Sequence, residues 1–205
     1  MFKTKTYKIF STLLVYPNEE LKKNINLVST ILKEEGLLSK IEINKLDDLI
    51  SYINSTDLLD LQEKYVSIFD RQKKFSLYLF EHIHGDSRER GMAMVDLKNL
   101  YKASNFDISI NEELPDYIPV FLEYLSLIPR EKASILLGEV INIIAVLGKR
   151  LKLNNVLYYI VFNLLECLSY IKPDKGIIDN IILNKQDDKV NNYKIDKDWE
   201  EPKVF

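Results

Sequence analysis

The chain has 205 residues, 46% hydrophobic and 29% charged, with a formal net charge of −3. That length and balance suit a folded protein with a substantial core, and the interspersed charges give no global basic field to draw it towards nucleic acid or anionic lipid. Six glycines and six prolines are too few for a turn-rich β architecture, and one cysteine, Cys167, excludes an internal disulfide and any cysteine-rich zinc or iron–sulfur centre.

Lys3, Lys5 and Lys8 are followed by neither a long apolar core nor a small-residue cleavage site, so residues 1–11 do not read as a secretory signal. Pro17-Asn18-Glu19-Glu20 predicts a helix start, with an Asx cap and acids in the first turn. Leu21, Ile25, Val28 and Leu32 then mark one helical face, which Gly36 stops. Ile43, Leu46, Leu49, Ile50 and Ile53 share a second face. Ser55-Thr56-Asp57 caps a third helix, whose Leu58, Leu61, Tyr65 and Ile68 point inward. Residues 75–83 fit either a period of two or a short helix.

Helix resumes from Asp86, with Ala93, Leu97 and Leu100 on one stripe. Leu114-Pro115-Asp116 opens the next helix, with Pro119 in about its first turn and Pro129 at its end. Leu136, Val140, Ile143, Leu147 and Leu151 mark another. Residues 156–171 are apolar nearly all round, which predicts a central helix enclosed by the others and a buried thiol at Cys167. The most apolar run, residues 153–165, is shorter than the roughly 20 residues a bilayer span needs, so a cytoplasmic location is the simple reading. The overall expectation is an all-α, single-domain helical bundle over residues 1–186 and a polar, flexible tail over residues 187–205.

Candidate chemistry lies between Phe69 and Glu123. His82 and His84 are accompanied by Glu81, Asp86 and Glu89, and imidazole with carboxylate can ligate zinc or iron. Yet H-x-H on a helix points the rings apart, whereas the helical metal motif takes i, i+4 spacing. Both histidines are therefore read as bonding backbone near a turn at Gly85, with a metal-dependent hydrolase as the rival reading. Arg88 and Arg90 do not share a helix face, and Gly85 alone makes no phosphate cradle. No serine or cysteine has a base and an orienting acid. The arginines, with Asp86 and Glu89, either tie helix ends together or meet a charged partner. Tyr117, Phe121, Tyr124 and Leu125 fall at helical spacing, a stripe that is ordinarily core but can line a groove. No catalytic residue, no metal site and no cofactor site is assigned.

The strings Phe69-Asp70-Arg71 and Ser76-Leu77-Tyr78-Leu79-Phe80-Glu81-His82-Ile83-His84-Gly85-Asp86-Ser87-Arg88-Glu89-Arg90-Gly91 closely resemble the signature stretch of the NarJ family. These are the nitrate reductase delta subunits, or molybdenum cofactor assembly chaperones. Met92 to Leu97, Leu100-Tyr101, Glu113 to Pro119 and Phe121 to Leu125 continue the likeness, and Trp199-Glu200-Glu201-Pro202 with Val204-Phe205 resembles the family's usual close. Leu114-Pro115-Asp116-Tyr117 is also similar to the Pro-x-Asp-His element of the wider TorD/DmsD-like chaperones, with Tyr117 in the histidine's place.

The resemblance implies a helical chaperone of the TorD/DmsD type and not an enzyme. Its implied partner is the N-terminal segment of the respiratory nitrate reductase α subunit, held with the α–β precursor in the cytoplasm during molybdenum cofactor insertion. The chaperone itself neither inserts into the membrane nor binds nucleic acid. For such a client an amphipathic segment would dock in an apolar groove. Tyr78, Phe80, Tyr117, Phe121 and Leu125 are the expected walls, Asp116 and Glu123 the partners of basic client residues, and His82 or His84 the partner of client backbone. A non-specific helical scaffold is the remaining alternative.

Overall fold

The structure, a computed structural model, describes residues 4–82, 88–108 and 113–182. The chain runs through α1 (Lys5–Leu14), α2 (Glu19–Asn24), α3 (Val28–Glu35), α4 (Lys40–Asn44), α5 (Asp47–Ser55) and α6 (Leu58–Tyr65). It continues through α7 (Arg88–Ala103), α8 (Ile118–Leu127), α9 (Arg130–Glu139), α10 (Ile141–Leu153) and α11 (Tyr159–Leu168). A further helical segment, 175–182, places Ile178 against Ala145 and Val146 of α10. There is no β-strand among the described residues, so the fold is all-α as the sequence predicts. Residues 187–205 and His84 lie outside the described residues.

Helix α1 carries no apolar signal that the sequence reading used, yet it buries Tyr7, Phe10, Leu13 and Leu14. It lies antiparallel along α8: Thr4 N–H donates to Ser126 O at 2.9 Å and Ser11 Oγ to Pro119 O at 2.8 Å. Its first amides find no cap from the Thr4 side chain. Glu35, at the end of α3, accepts from Lys5 N and Thr6 N at 2.7 and 2.6 Å instead. A carboxylate at a helix N-terminus satisfies orphan donors and complements the dipole.

Several predicted boundaries hold for the stated reasons. Asn18 caps α2 by accepting from Leu21 N at 2.8 Å. Gly36 ends α3 with φ +70°, a left-handed position where glycine carries no Cβ penalty. Between them, Ile25–Leu27 tightens to a 3₁₀ turn that keeps Ile25 and Val28 on the buried face. Asp57 stands at the N-cap of α6 without a side-chain capping bond.

Other expectations are corrected. Residues 75–83 make neither an alternating strand nor one helix; Lys73–Phe75 and Leu79–Glu81 are short 3₁₀ turns flanking an antiparallel bridge between Tyr78 and Tyr117. Leu114-Pro115-Asp116 does not open α8, because Asp116 is drawn into that bridge and the helix begins at Ile118 with Pro119 in its first turn. The face from Leu136 to Leu151 is broken at Val140 into α9 and α10. Residues 156–171 do not form a helix enclosed on all sides. Helix α11 buries Ile160, Val161, Phe162, Leu164 and Leu165 but turns Cys167 to solvent, so the thiol is exposed. Partial desolvation and the Glu42 carboxylate still push that thiol up to about 11, keeping it protonated near neutral pH.

Candidate functional site

The short bridge fixes the geometry of the central region. Leu79 N–H donates to Asp116 O at 2.9 Å and Ile118 N–H to Leu77 O at 2.8 Å, so the 76–82 segment is stitched to the start of α8. Asp116 Oδ2 also accepts from Phe80 N at 3.2 Å. Arg90, in the first turn of α7, places one guanidinium nitrogen 3.6 Å from Asp116 Oδ2 and the other 3.5 Å from Glu81 Oε1. Tyr101 Oη, near the other end of α7, donates to Pro115 O at 2.8 Å. Asp116 thus joins the 79–81 turn and α7 through its carboxylate and the bridge through its backbone carbonyl. Asp116 is 0% exposed, and burial pushes its carboxyl above the ordinary range against the opposing pull of Phe80 N–H and Arg90.

Beside this knot lies an aromatic cleft of about 270 Å³. A wide π turn over Val66–Asp70, closed by Arg71 N–H on Val66 O at 3.1 Å, continues α6 and delivers Phe69 and Asp70 to it. Tyr65 Oη donates to Leu14 O at 2.9 Å and lies 3.0 Å from Tyr117 Oη. The rings of Tyr78 and Tyr117 stand 5.2 Å apart, and Tyr78 Oη donates to Glu113 Oε2 at 3.4 Å. Burial pushes the hydroxyls of both Tyr78 and Tyr117 up to about 12.

A second, apolar concavity of about 310 Å³ adjoins the cleft and shares Glu113 with it. Met94, Val95, Ile108, Leu114 and Pro115 line it. Of the α7 residues only Tyr101 is buried, while Met92 and Val95 are 59% and 58% exposed. A helix with so little core contact offers an apolar face to something else.

Against the sequence expectations, Tyr78 and Tyr117 line the cleft, and Phe80 and Asp116 lie in the knot beside it. Phe121 and Leu125 do neither: they are 3% and 0% exposed in the central core and support the site from beneath instead of walling a groove. Asp116 is buried and already faces Arg90, so it organises the site without presenting a charge at its surface. Glu123 lies on the face of α8 towards α1, where it pairs with Lys8. His82 Nε2 donates to Ser76 O at 2.8 Å, in keeping with the backbone-bonding reading. Among the described residues no group of three or more His, Cys, Asp or Glu side chains could hold a metal ion. Nor is any described helix long and apolar enough to cross a membrane. Sequence reasoning assigned no role to Tyr65, Asp70, Glu113, Val95 or Leu114 at the site, because their convergence depends on the π turn and the bridge.

The all-helical arrangement is the fold of a crystal structure titled "Putative Redox Enzyme Maturation Protein" from Archaeoglobus fulgidus. The two share a TM-score of 0.56 and 20% identity over 78% of this chain and 88% of that one. The profile of the nitrate reductase delta subunit family matches residues 39–146, a span containing the bridge, the apolar concavity and most of the aromatic cleft. The chain is 34% identical over 196 residues to the nitrate reductase molybdenum cofactor assembly chaperone NarJ of Escherichia coli (strain K12), covering 96% of this chain and 82% of that protein. It is 35% identical over 199 residues to the Probable nitrate reductase molybdenum cofactor assembly chaperone NarW of the same strain, covering 96% and 81%. The chain belongs to the nitrate reductase delta subunit family.

Proposed function

We propose that this protein is a cytoplasmic assembly chaperone for a nitrate reductase. It would bind the N-terminal segment of the α subunit, alone or in the α–β precursor, and keep that subunit competent for molybdenum cofactor insertion. Relatives alike over nearly the whole chain carry the name of assembly chaperones, which supports a binding role and no catalytic one. The observation that carries the reading is the exposed apolar face of α7, with Val95 and Leu114 beside an aromatic cleft and Glu113 between the two. An amphipathic client helix laid across both would bury its apolar side on Met94, Val95 and Leu114 and present its polar flank to the cleft.

Micromolar binding corresponds to about −8 kcal/mol, and ordering a flexible segment costs a further ~2–5 kcal/mol. Buried apolar side chains contribute roughly 1.5–3 kcal/mol each, so several must insert. The concavity beside α7 has room for such anchors; Tyr78 and Tyr117 provide the adjoining aromatic wall, while Phe80, Phe121 and Leu125 pack in or against the core.

Calorimetric titration with the N-terminal peptide of the α subunit from the same organism, against a scrambled peptide, tests the reading. The native peptide alone should bind, and the exposed substitution Val95→Asp should weaken it at least about tenfold, or 1.4 kcal/mol. Equal binding of both peptides would instead favour the non-specific scaffold.

A further inference from the structure

The hydroxyl protons in the aromatic cleft can be assigned from what their partners accept. Leu14 O can only accept, so Tyr65 Oη donates to it, and the 3.0 Å contact with Tyr117 must use the proton of Tyr117. Glu113 carboxylate likewise only accepts, so Tyr78 Oη donates to it. Both hydroxyls keep their protons at neutral pH, pushed up to about 12 by burial. The Tyr78 and Tyr117 oxygens are then left with lone pairs alone for any occupant. Asp70 and Glu113 add carboxylates, both exposed, and neither makes an ion pair among the described residues. No lysine, arginine or histidine lines the cleft among those residues. Tyr16, Tyr65, Phe69, Tyr78 and Tyr117 supply its aromatic lining.

A cavity offering acceptors, negative charge and π faces, with its assigned hydroxyl protons already committed, is complementary to a planar cation rich in N–H donors. We propose that this cleft is a guanidinium-binding subsite, which receives an arginine side chain of the bound client segment. A guanidinium presents five N–H donors in one plane and stacks on aromatic faces, so it can use the tyrosine oxygens, the carboxylates and the rings together. The assignment of the arginine to the client rests on the chaperone reading; the chemistry of the cleft does not. Asp70 and Glu113 thereby take the charge-recognition role that the sequence alone suggests for Asp116 and Glu123.

The test is a titration of the full chain with N-acetyl-arginine amide, followed by NMR at the ring resonances of Tyr78 and Tyr117. N-acetyl-citrulline amide, equal in shape and uncharged, is the control. Saturating shifts are expected with the arginine compound, at least fivefold weaker binding to the Asp70→Asn/Glu113→Gln variant, and no saturation with citrulline. Both substitutions are at exposed positions, and unchanged amide spectra would establish that the variant is folded. Absence of saturating shifts at these rings, or an equal response to citrulline or in the variant, overturns the subsite. Client peptide binding is scored separately. If the arginine compound saturates the cleft and the peptide does not bind, the chaperone reading fails and the subsite stands. If the peptide binds and the arginine compound does not, the subsite fails and the chaperone reading stands.

Discussion

Asp116 is the residue on which the central region turns. Its carboxylate, 0% exposed, receives Phe80 N–H and faces the Arg90 guanidinium, and burial still leaves its pKa raised. With the folded pKa above the unfolded one, the native state binds more protons between the two values. This group's contribution to stability therefore falls as pH rises through that window and is recovered on acidification. Urea midpoints of wild type and Asp116→Asn, compared from about pH 7 to about pH 4, should show wild type gaining on the variant as pH drops. A difference independent of pH would contradict the raised pKa. Replacing Arg90 by alanine leaves Asp116 and Glu81 without their shared cation. A loss of about 2 kcal/mol is expected in urea unfolding, together with a wider acid-side gain as the Asp116 pKa climbs further. Tyr65→Phe removes the donor to Leu14 O and the acceptor for Tyr117. It should cost about 1–2 kcal/mol by the same measurement.

At the scale of elements, what was legible in the sequence follows the range of the forces involved. Local signals were legible: the Asn18 cap, the Gly36 stop and the buried faces of α2, α3, α5 and α6 each depend on residues within a turn or two. Non-local ones were not. The cap of helix α1 comes from Glu35 on another helix and leaves no mark in the first residues, although Tyr7, Phe10, Leu13 and Leu14 do stand at helical spacing. The late start of α8 follows from the Tyr78–Tyr117 bridge, which competes with helix for the backbone of Asp116 and Tyr117. Helices α10 and α11 owe their close approach to Gly148, where an added Cβ would stand 3.0 Å from the Cβ of Phe162. Gly148→Val should force these helices apart and cost about 2–3 kcal/mol in thermal or urea unfolding, whereas Gly91→Ala, with nothing within 4 Å, should be neutral or slightly stabilising.

Taken whole, the molecule is a helical frame with one large apolar core and an α7 face left mostly uncovered. The sequence singles out Tyr78, Phe80, Asp116 and Tyr117, which the bridge brings close together. It could not separate the buried support, Phe121 and Leu125, from the exposed surface, because one apolar spacing serves both. The division appears only once α1 is seen to cover that side of α8 and α7 is seen to be left bare. Nor does the spacing reveal that Asp116 is buried against Arg90 and that Glu123 pairs with Lys8 at the surface, which leaves Asp70 and Glu113 as the charges lining the cleft.

The most direct measurement of the central claim is the molybdenum content of the nitrate reductase purified from otherwise identical cells that make this protein, lack it, or make the Val95→Asp variant. Reductase with molybdenum is expected only when the unaltered chain is present, with a deficit in the other two strains although the α polypeptide is still produced. Equal molybdenum in all three would contradict a role in assembling that enzyme.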